Sequence, residues 1–356
     1  MRKKEIAKTS CCSSSGRTSK PISILSRNEH PVIKSTTGEI TPANRLDHLM
    51  ARLGVKREQH LIESGIYAMG NPTKDSPVFV SANYTLSFDA LRSALHGNDC
   101  YILVLDTKGI NVWCAAGKGT FGTDELVRRI EAVGLNDVVT HHTLIVPQLG
   151  ATGVNAREVR ERCGFKVEFG PVRAADLPEY LKTHHATEEM RRVRFTLSDR
   201  IVLIPVEMTN LLIPMLITSV ILALAGNYTA AAAIITAAFT GLVLFPILLP
   251  WIPSTDFSTK GILIGGLTAL PFALYSLYGM TDEKLWLRYG WIVAYMLVIP
   301  SISAFLALNF TGSTTFSSVT GVKREIFTYM PKIAWMFGIG IILIIVLTSL
   351  KLLGGI

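Results

Sequence analysis

Cysteine is scarce in this chain of 356 residues, and its spacing excludes two classes of site. The cysteines are odd in number and irregularly placed, so they do not form the framework of a disulfide-rich secreted domain. No Cys-x-x-Cys pair occurs, and the cysteine run of ferredoxin-like proteins is missing. If the protein performs redox chemistry, another protein must supply its electrons. The five cysteines are Cys11, Cys12, Cys100, Cys114 and Cys163.

Charge is also scarce in the second part of the chain. Up to Arg200 the sequence is charged and mixed, whereas beyond it charged residues disappear for long intervals. The net charge of +8 therefore averages two different kinds of sequence. The basic N-terminal tail lacks the apolar segment of a cleaved signal peptide. The arginines just before the first apolar segment are typical of a membrane flank, and we expect no nucleic-acid partner.

Five apolar segments follow, each near the ~20 residues that a spanning helix needs. Eight basic residues flank one side of the expected membrane and three flank the other. This bias predicts a multi-pass protein of the cytoplasmic (inner) membrane, in contact with lipid, with the soluble part in the cytoplasm and the C-terminus outside. The segments are 201–225, 229–251, 261–280, 287–309 and 331–350. The larger basic set is Arg191, Arg192, Arg194, Arg200, Lys260, Lys323, Arg324 and Lys332, and the smaller is Lys284, Arg288 and Lys351.

Between the N-terminal tail and the arginines, strand-like and helix-like segments alternate. Cys100–Thr107 is an almost continuous apolar run, as in a strand covered on both faces. Such alternation predicts an α/β fold with a Rossmann-like parallel sheet, followed here by an all-α five-span transmembrane domain. The expected organisation is a disordered or loosely attached tail at 1–44, a soluble domain at 45–190, a basic linker at 191–200 and the transmembrane domain at 201–356.

Ligands of such sheets bind in loops beyond the carboxyl ends of the strands. Three segments fall there: Ser81–Ser87, the stretch around Cys114, and Pro147–Val154. Gly117–Gly122, GKGTFG, fits the G-x-G-x-x-G pattern of dinucleotide sites. However, that pattern needs its first glycine directly after a strand, and INVWCAA intervenes here. Nucleotide binding is therefore disfavoured.

Without a nucleotide, the segment around Cys114 reads as a short helix. Asn111 is a suitable N-cap, and the next helix is expected to have Thr123 as N-cap and Gly134 as C-cap. The small residues after Cys114 leave space for a large flat ligand against the backbone. A thiolate presented there could be a metal ligand or a nucleophile. The alternative, a buried inert thiol, fits Cys100 and Cys163 better.

The eight residues Asn111–Lys118, NVWCAAGK, resemble the signature of the HgcA family, the membrane-anchored corrinoid proteins of mercury methylation. The resemblance covers most of the chain, a corrinoid-binding domain and five spans. The wider domain is similar to the corrinoid domain in the large subunit of the corrinoid iron–sulfur protein of acetyl-CoA synthesis. The resemblance implies cobalamin as cofactor, with Cys114 as the lower axial ligand of cobalt and as the catalytic residue.

The resemblance also implies the reaction, in which a methyl group passes from Cys-ligated methylcobalamin to Hg(II) to form methylmercury. Since Hg(II) is an electrophile, the methyl group must leave as a carbanion or a radical, and an electron-donating thiolate ligand favours that departure. The cobalt must then be reduced before it accepts a methyl cation. The implied partners are an HgcB-type ferredoxin with iron–sulfur clusters as electron donor and a methyl-folate-dependent donor system.

Further residues around the three loops are expected to contact the cofactor, each with a structural alternative. Trp113 could wall the corrin pocket or serve as a core aromatic, and Lys118 could neutralise the phosphate of the nucleotide tail or lie at the solvated rim. Small hydroxyl residues could hydrogen-bond the corrin periphery or belong to turns, and the QLGATG segment could hold the nucleotide tail or form a tight turn. The expected cofactor-binding set is Ser81, Ser87, Asn111, Val112, Trp113, Ala115, Ala116, Gly117, Lys118, Gly119, Thr120, Gln148, Gly150, Thr152 and Gly153.

Other readings stay open. The protein could be a corrinoid methyl carrier for another acceptor, such as a thiol or an acetyl-CoA pathway enzyme, or a transporter or sensor whose soluble domain only binds a ligand. Glu207, the one acid inside an expected span, is either functional or reaches the interface. Asn309–Glu325 could touch the soluble domain. Cys11 and Cys12 could help trap mercury or be unpaired residues of the tail.

Overall fold

The computed structural model of the chain describes residues 32–314 and 319–352. Cys11 and Cys12 lie outside these residues. The described chain forms an α/β domain and a helical bundle, as the two kinds of sequence predict.

The α/β domain is built on one six-stranded sheet with the strand order β1-β2-β4-β3-β5-β6. All neighbouring strands are parallel except β2 and β4, which are antiparallel. The expected parallel sheet is thus mixed at one pairing. The connection 70–77 between β2 and β3 is shorter than the dozen residues of a parallel crossover, so β3 runs opposite to β2. Because β4 is parallel to β3, it pairs with β2 in the antiparallel sense. The strands are β1 (Ile33–Thr36), β2 (Gly65–Met69), β3 (Val78–Ala82), β4 (Cys100–Leu105), β5 (Thr143–Val146) and β6 (Lys166–Phe169).

Helices cover both faces of the sheet, because the central strands are apolar on both sides. In β3, Val78, Val80 and Ala82 pack into one core, whereas Phe79 packs into the other. The first core includes side chains of α3 to α6, and the second includes side chains of α2, α7 and α8. The helices are α1 (Pro42–Arg52), α2 (Thr85–Ala94), α3 (Val112–Lys118), α4 (Thr123–Ala132), α5 (Leu135–Val138), α6 (Ala156–Cys163), α7 (Leu177–Thr183), α8 (Glu188–Arg191) and α9 (Leu197–Ile201).

The ends of α4 differ from those that the sequence predicts. Gly122, not Thr123, is the N-cap, and the Thr123 hydroxyl instead accepts a hydrogen bond from the Asn155 backbone N–H at 2.9 Å. A tertiary contact thus takes the oxygen that local capping would use. At the other end Val133 is the C-cap, and Gly134 follows in the left-handed conformation with φ 58°.

Residues 32–44 were assigned to the tail, but the structure places β1 and the start of α1 there. Strand β1 pairs with β2, and Lys34 contacts Glu63 at 2.6 Å and lies over the Tyr67 ring. This edge strand has little apolar sequence of its own. Strand β1 is therefore stabilised by its pairing with β2, and local sequence patterns do not predict such a pairing.

Four helices of the second part are long and apolar enough to cross a membrane, and a fifth span results if one bent pair counts as a single span. The bend, 57°, lies between Thr209 and Leu211. Pro214 explains it, since proline cannot bond to the carbonyl four residues earlier and its ring clashes with that carbonyl. The helices are α10 (Ile204–Leu224), α11 (Tyr228–Phe239), α12 (Phe245–Leu248), α13 (Phe257–Leu274), α14 (Leu285–Phe310) and α15 (Val319–Leu352), and π-helical turns follow α11 and α13 at Thr240–Leu244 and Tyr275–Gly279.

The basic linker connects the two parts through buried contacts. The Arg200 guanidinium is buried and donates to the Pro246 and Ile247 carbonyls, both at 2.8 Å. Lys260 is also buried, and its ammonium donates to the Leu249 carbonyl at 2.7 Å. Two cations thus bind carbonyls at the C-terminal end of one helix, where the helix dipole favours them. Arg200 therefore fixes the linker helix α9 against the bundle, beyond the flanking role that the sequence suggests.

Candidate functional site

The Cys114 segment forms the short helix α3 that the sequence predicts. Asn111 caps it, and the Asn111 side-chain oxygen accepts a hydrogen bond from the Cys114 backbone N–H at 2.9 Å. The helix ends at Gly119, whose φ of 81° lies in the left-handed region that favours glycine. The cap binds the same residue that carries the thiol, so α3 presents Cys114 from its first turn.

The loop before α3 is fixed by one buried amide at the end of β3. The Asn83 side-chain oxygen accepts hydrogen bonds from the backbone N–H groups of Thr107 and Gly109, each at 3.0 Å. Asn83 is 5% exposed, so these bonds are sheltered from water. The carboxyl ends of β3 and β4 are therefore tied together at the place where α3 begins.

A cavity of about 510 Å³ lies beside these loops. This volume is within the range of roughly 300–1,000 Å³ that small-molecule pockets have. Its lining is mostly apolar and includes side chains from all three loops that the sequence singled out. The expected site residues that line it are Ser81, Ser87, Asn111, Val112, Trp113 and Cys114.

The other expected residues of the NVWCAAGKGT segment do not line this cavity. Ala115 and Ala116 are buried in the core below α3. Gly117, Lys118, Gly119 and Thr120 form the end of the helix and the turn after it, and the Thr120 backbone N–H donates to the Ala115 carbonyl at 3.0 Å. Their roles in cofactor binding stay predictions.

The QLGATG segment lies at the cavity edge but packs mainly against α3. Pro147 and Leu149 line the cavity, whereas Gln148, Gly150, Thr152 and Gly153 do not. A Cβ on Gly153 would lie 2.2 Å from the Phe121 carbonyl oxygen, and one on Gly150 would lie 2.5 Å from the Phe121 ring. These glycines therefore allow close packing of the turn, which was the structural alternative considered for them.

The side chains that line the cavity test whether a corrin fits. A corrin has an apolar ring, a cobalt that accepts a soft ligand, and amide side chains around its rim. The cavity offers mostly apolar surface, the Cys114 thiol, and the hydroxyls of Ser81 and Ser87. This donor set fits the group. Gln148 Oε1 and Thr85 Oγ1 are buried without a hydrogen-bond partner among the described residues, but neither residue lines the cavity.

The other two described cysteines are thiols with a different environment. Burial raises the pKa of Cys100 to about 12, and the nearby Asp99 charge adds to this effect. Burial also raises the pKa of Cys163, although a backbone hydrogen bond opposes it. Neither forms a thiolate readily near neutral pH, so both fit the inert role expected for them. Cys114 is half-buried and lines the cavity.

The glycine-rich run joins the end of α3 to the start of α4. A phosphate at that helix start would face Asp124 and Glu125 in the first turn. The Glu125 carboxylate accepts a hydrogen bond from the Asp106 backbone N–H at 2.8 Å and pairs with Arg129 at 2.7 Å. Negative side chains already occupy this helix end, so it is an unfavourable place for a phosphate.

The membrane half of the chain also lines the cavity, which the sequence indicated only in part. Leu203, Val206 and Glu207, around the start of α10, share the cavity with Cys114, and Gly312 after α14 joins them. Gly312 lies in Asn309–Glu325, the stretch that could touch the soluble domain, and Glu207 is the intramembrane acid of the sequence. Nothing local distinguishes Leu203 from other residues of its segment.

The soluble domain matches a known protein family. A family model described as "CO dehydrogenase/acetyl-CoA synthase delta subunit" matches residues 55–181. This match supports a corrinoid-binding domain. It includes Cys114 and ends before the membrane helices.

Three relatives illustrate the likeness. The gamma subunit of the acetyl-CoA decarbonylase/synthase complex from Methanopyrus kandleri is 32% identical over 128 residues, which cover 35% of this chain and 27% of that protein. The gamma 2 subunit from Methanosarcina mazei is 33% identical over 125 residues, or 34% of this chain and 26% of that protein. The gamma subunit from Methanocaldococcus jannaschii is 26% identical over 130 residues, which cover 36% of this chain and 26% of that protein. The chain thus spans about a quarter of the length of these relatives.

Proposed function

We propose that the protein is a membrane-bound, corrinoid-dependent methyltransferase that transfers a methyl group to Hg(II). The observation that carries this proposal is the position of Cys114, on a capped helix and at the wall of an apolar cavity. The NVWCAAGK resemblance supports Hg(II) as the acceptor. When bound, the corrinoid supplies the cobalt that carries the methyl group.

The residues of the chain have distinct roles in this proposal. The Cys114 thiolate on α3 would hold the cobalt and would donate electron density to it. The Asn111 side chain fixes the first turn of α3 through the Cys114 N–H. Val112, Trp113 and Leu149 line the cavity with apolar surface and so exclude water from it. Ser81 and Ser87 also line it, and their hydroxyls would hydrogen-bond the rim of the cofactor.

Methylmercury formation tests the proposed reaction. Cells that produce the chain with an iron–sulfur ferredoxin partner are given Hg(II), and methylmercury is measured. We expect Cys114→Ala to reduce the product to background, because no cavity-lining cysteine remains among the described residues. Cys163→Ala is the matched control and is expected to retain most of the activity. Full activity of Cys114→Ala would reject the thiolate mechanism.

The absorption spectrum of the purified protein with cobalamin tests the ligand directly. Sulfur coordination gives a cobalt spectrum different from that with nitrogen or water. We expect the wild-type spectrum to change in Cys114→Ala and to stay unchanged in Cys163→Ala. Identical spectra for wild type and Cys114→Ala would exclude cobalt–sulfur coordination.

A corrinoid methyl carrier for another acceptor is the second candidate. The names of the relatives favour it, since they are subunits of an acetyl-CoA decarbonylase/synthase complex. The two candidates share the cofactor and differ in the acceptor. A protein that binds cobalamin through Cys114 but forms no methylmercury with any methyl donor would support the carrier and exclude the leading proposal.

A further inference from the structure

The cavity that contains Cys114 has a wall formed by the membrane domain. Residues Val202, Leu203, Val206 and Glu207 line it, and we call residues 202–207 the entry segment of α10. Glu207 and Arg52 are the two charged side chains among the lining residues in the described part of the chain. Arg52 belongs to α1 of the soluble domain, whereas Glu207 is contributed by the membrane domain.

The entry segment is attached to the soluble domain just below the cavity. The Thr209 hydroxyl donates to the Leu53 carbonyl at 3.0 Å. Gly54, with φ 72°, lies so close that a Cβ there would be 3.0 Å from a methyl carbon of Val206. Leu53 and Gly54 directly follow α1, whose residue Ala51 lines the cavity. Helices α1 and α10 therefore form adjoining parts of the same wall.

The entry segment is also held from the membrane side. Leu203 packs against an aromatic cluster that contains Phe245, Phe257 and Phe310. The Phe245 ring centroid lies 5.7 Å from that of Phe257 and 5.8 Å from that of Phe310. Gly312, two residues after Phe310, lines the cavity. The spans thus fix the position of the entry segment over the cavity.

We propose that the entry segment of α10 is part of the cofactor site, with Glu207 as a corrin-binding residue. This inference rests on the corrinoid cofactor of the proposed function, but not on mercury as the acceptor. The corrin rim carries primary amides, whose N–H groups donate to carboxylates. Leu203 and Val206 add apolar surface beside Glu207. The membrane domain thereby contributes to cofactor affinity in addition to anchoring the protein.

Cobalamin binding by the full-length protein in detergent micelles tests the proposal. The dissociation constant for hydroxocobalamin is measured for wild type, Glu207→Ala and Glu207→Gln. We expect Glu207→Ala to weaken binding about tenfold, as the loss of a charge-assisted hydrogen bond does. Glu207→Gln should lose less, since its amide oxygen still accepts. Met208→Ala is the matched control, because Met208 is the next residue on α10 and does not line the cavity.

The spectrum at saturating cobalamin separates this role from that of the thiol. All Glu207 variants should reach the wild-type spectrum when saturated, since Cys114 is unchanged. Thermal unfolding of the cofactor-free variants checks that they are folded. If Glu207→Ala does not fold, the affinity of Glu207→Gln tests the inference instead. Wild-type affinity in the folded Glu207 variants, with cobalamin bound, would overturn this inference alone. Failure of the wild-type protein to bind cobalamin would overturn both it and the proposed function.

Discussion

Asn111 shows how much one side chain contributes to the placement of the thiol. Its oxygen is the N-cap acceptor of a helix of seven residues, so few other interactions hold the first turn. A helix this short has little stability of its own, because nucleation costs more than its few hydrogen bonds return. The position of Cys114 therefore depends on the cap and on the packing of Ala115 and Ala116 below it.

We expect Asn111→Ala to lower the free energy of unfolding by about 1 kcal/mol, the usual cost of losing a cap. It should also weaken cobalamin binding, because the residue that carries the thiol loses its backbone partner. Equilibrium unfolding and cobalamin titration measure the two effects. Asn155→Ala is the control, since Asn155 caps α6 through the Arg157 and Glu158 N–H groups. It should cost similar stability and leave cobalamin affinity unchanged. Equal cobalamin affinity in both variants would contradict the role of the Asn111 cap.

His60 gives the soluble domain a pH-dependent contact. Its ring nitrogens lie 2.7 Å from an Asp47 carboxylate oxygen and 2.8 Å from the Val55 carbonyl. Burial lowers the pKa of His60. The hydrogen bonds with Val55 and Asp47 and the Asp47 charge together raise it by more than burial lowers it, so the pKa lies above the ordinary value. The contact joins α1, which contributes to the cavity wall, to the segment that follows it.

The raised pKa means that the folded protein binds the His60 proton more tightly than the unfolded chain does. The stabilisation is complete below the unfolded value of about 6.5 and is lost as the pH rises through the folded pKa. The free energy of unfolding of wild type and His60→Gln, measured between about pH 5.5 and 8.5, checks this, since that range includes the reference pKa of histidine. We expect the stability difference between them to shrink as the pH rises. His185→Gln, at an exposed position, is the control. A difference that grows with pH would show the opposite sign.

At the scale of elements, glycines set the contact between α13 and α14. Gly261 and Gly265 are four residues apart, as in the small-xxx-small pattern of membrane helix pairs. A Cβ on either would lie 2.6 Å from a backbone carbon of α14, Ala304 Cα for Gly261 and Pro300 Cα for Gly265. In lipid the helices gain little from hydrophobic burial, so such backbone approach is a main source of packing energy.

Gly265→Val should therefore destabilise the bundle, by about 1–3 kcal/mol for the forced overpacking. The adjacent glycine is a matched control, because a Cβ on Gly266 would meet nothing within 4 Å. Thermal stability of the two variants in detergent compares them directly. Gly266→Val should remain close to wild type. Similar losses in both variants would mean that helix propensity, rather than close packing, decides stability.

Each apolar segment of the sequence is helical in the bundle. The prolines in these segments do not act alike. Pro205 lies in the first turn of α10, where a missing N–H costs nothing, whereas Pro214 lies one turn after the bend. Pro271 and Pro300 lie inside helices α13 and α14. Position within a helix decides the effect of proline, and the helix boundaries depend on tertiary contacts.

At the scale of the whole molecule, the soluble domain lies against one end of the bundle. Arg200 and Gly312 belong to that end, and the turn at 280–284 belongs to the other, because α13 and α14 each run once through the bundle between them. The basic flanks predict that the first end faces the cytoplasm. Orientation in the membrane thus determines the compartment in which the Cys114 cavity opens.

Labelling of introduced cysteines tests the sidedness. Asp282 is exposed in the far turn, and Glu188 is exposed on the soluble domain. We expect Asp282→Cys to react with a membrane-impermeant maleimide in intact cells, and Glu188→Cys to react only after the cells are broken. Wild-type protein measures the background from its own cysteines. The reverse labelling pattern would place the cofactor domain outside the cytoplasm.

Local patterns in the sequence were sufficient to predict the classes of structure. Apolar runs, caps and spacing are local properties, so they identified the α/β domain, the membrane-length helices and the capped helix around Cys114. The corrinoid cofactor also followed from a local motif, and the family match over 55–181 supports it. The antiparallel β2–β4 pair, the order of β1 and the true N-cap of α4 did not follow, because each depends on a partner distant in the chain.

The segments that meet around the thiol become apparent in the folded chain. Leu203, Glu207 and Gly312 share a cavity with Cys114 although Gly312 is almost two hundred positions away in the chain. No periodicity or spacing records such a meeting, because it depends on how the bundle packs on the sheet domain. The proposed chemistry of the thiol therefore rests on eight residues, whereas the composition of the wall opposite the soluble loops required the whole fold.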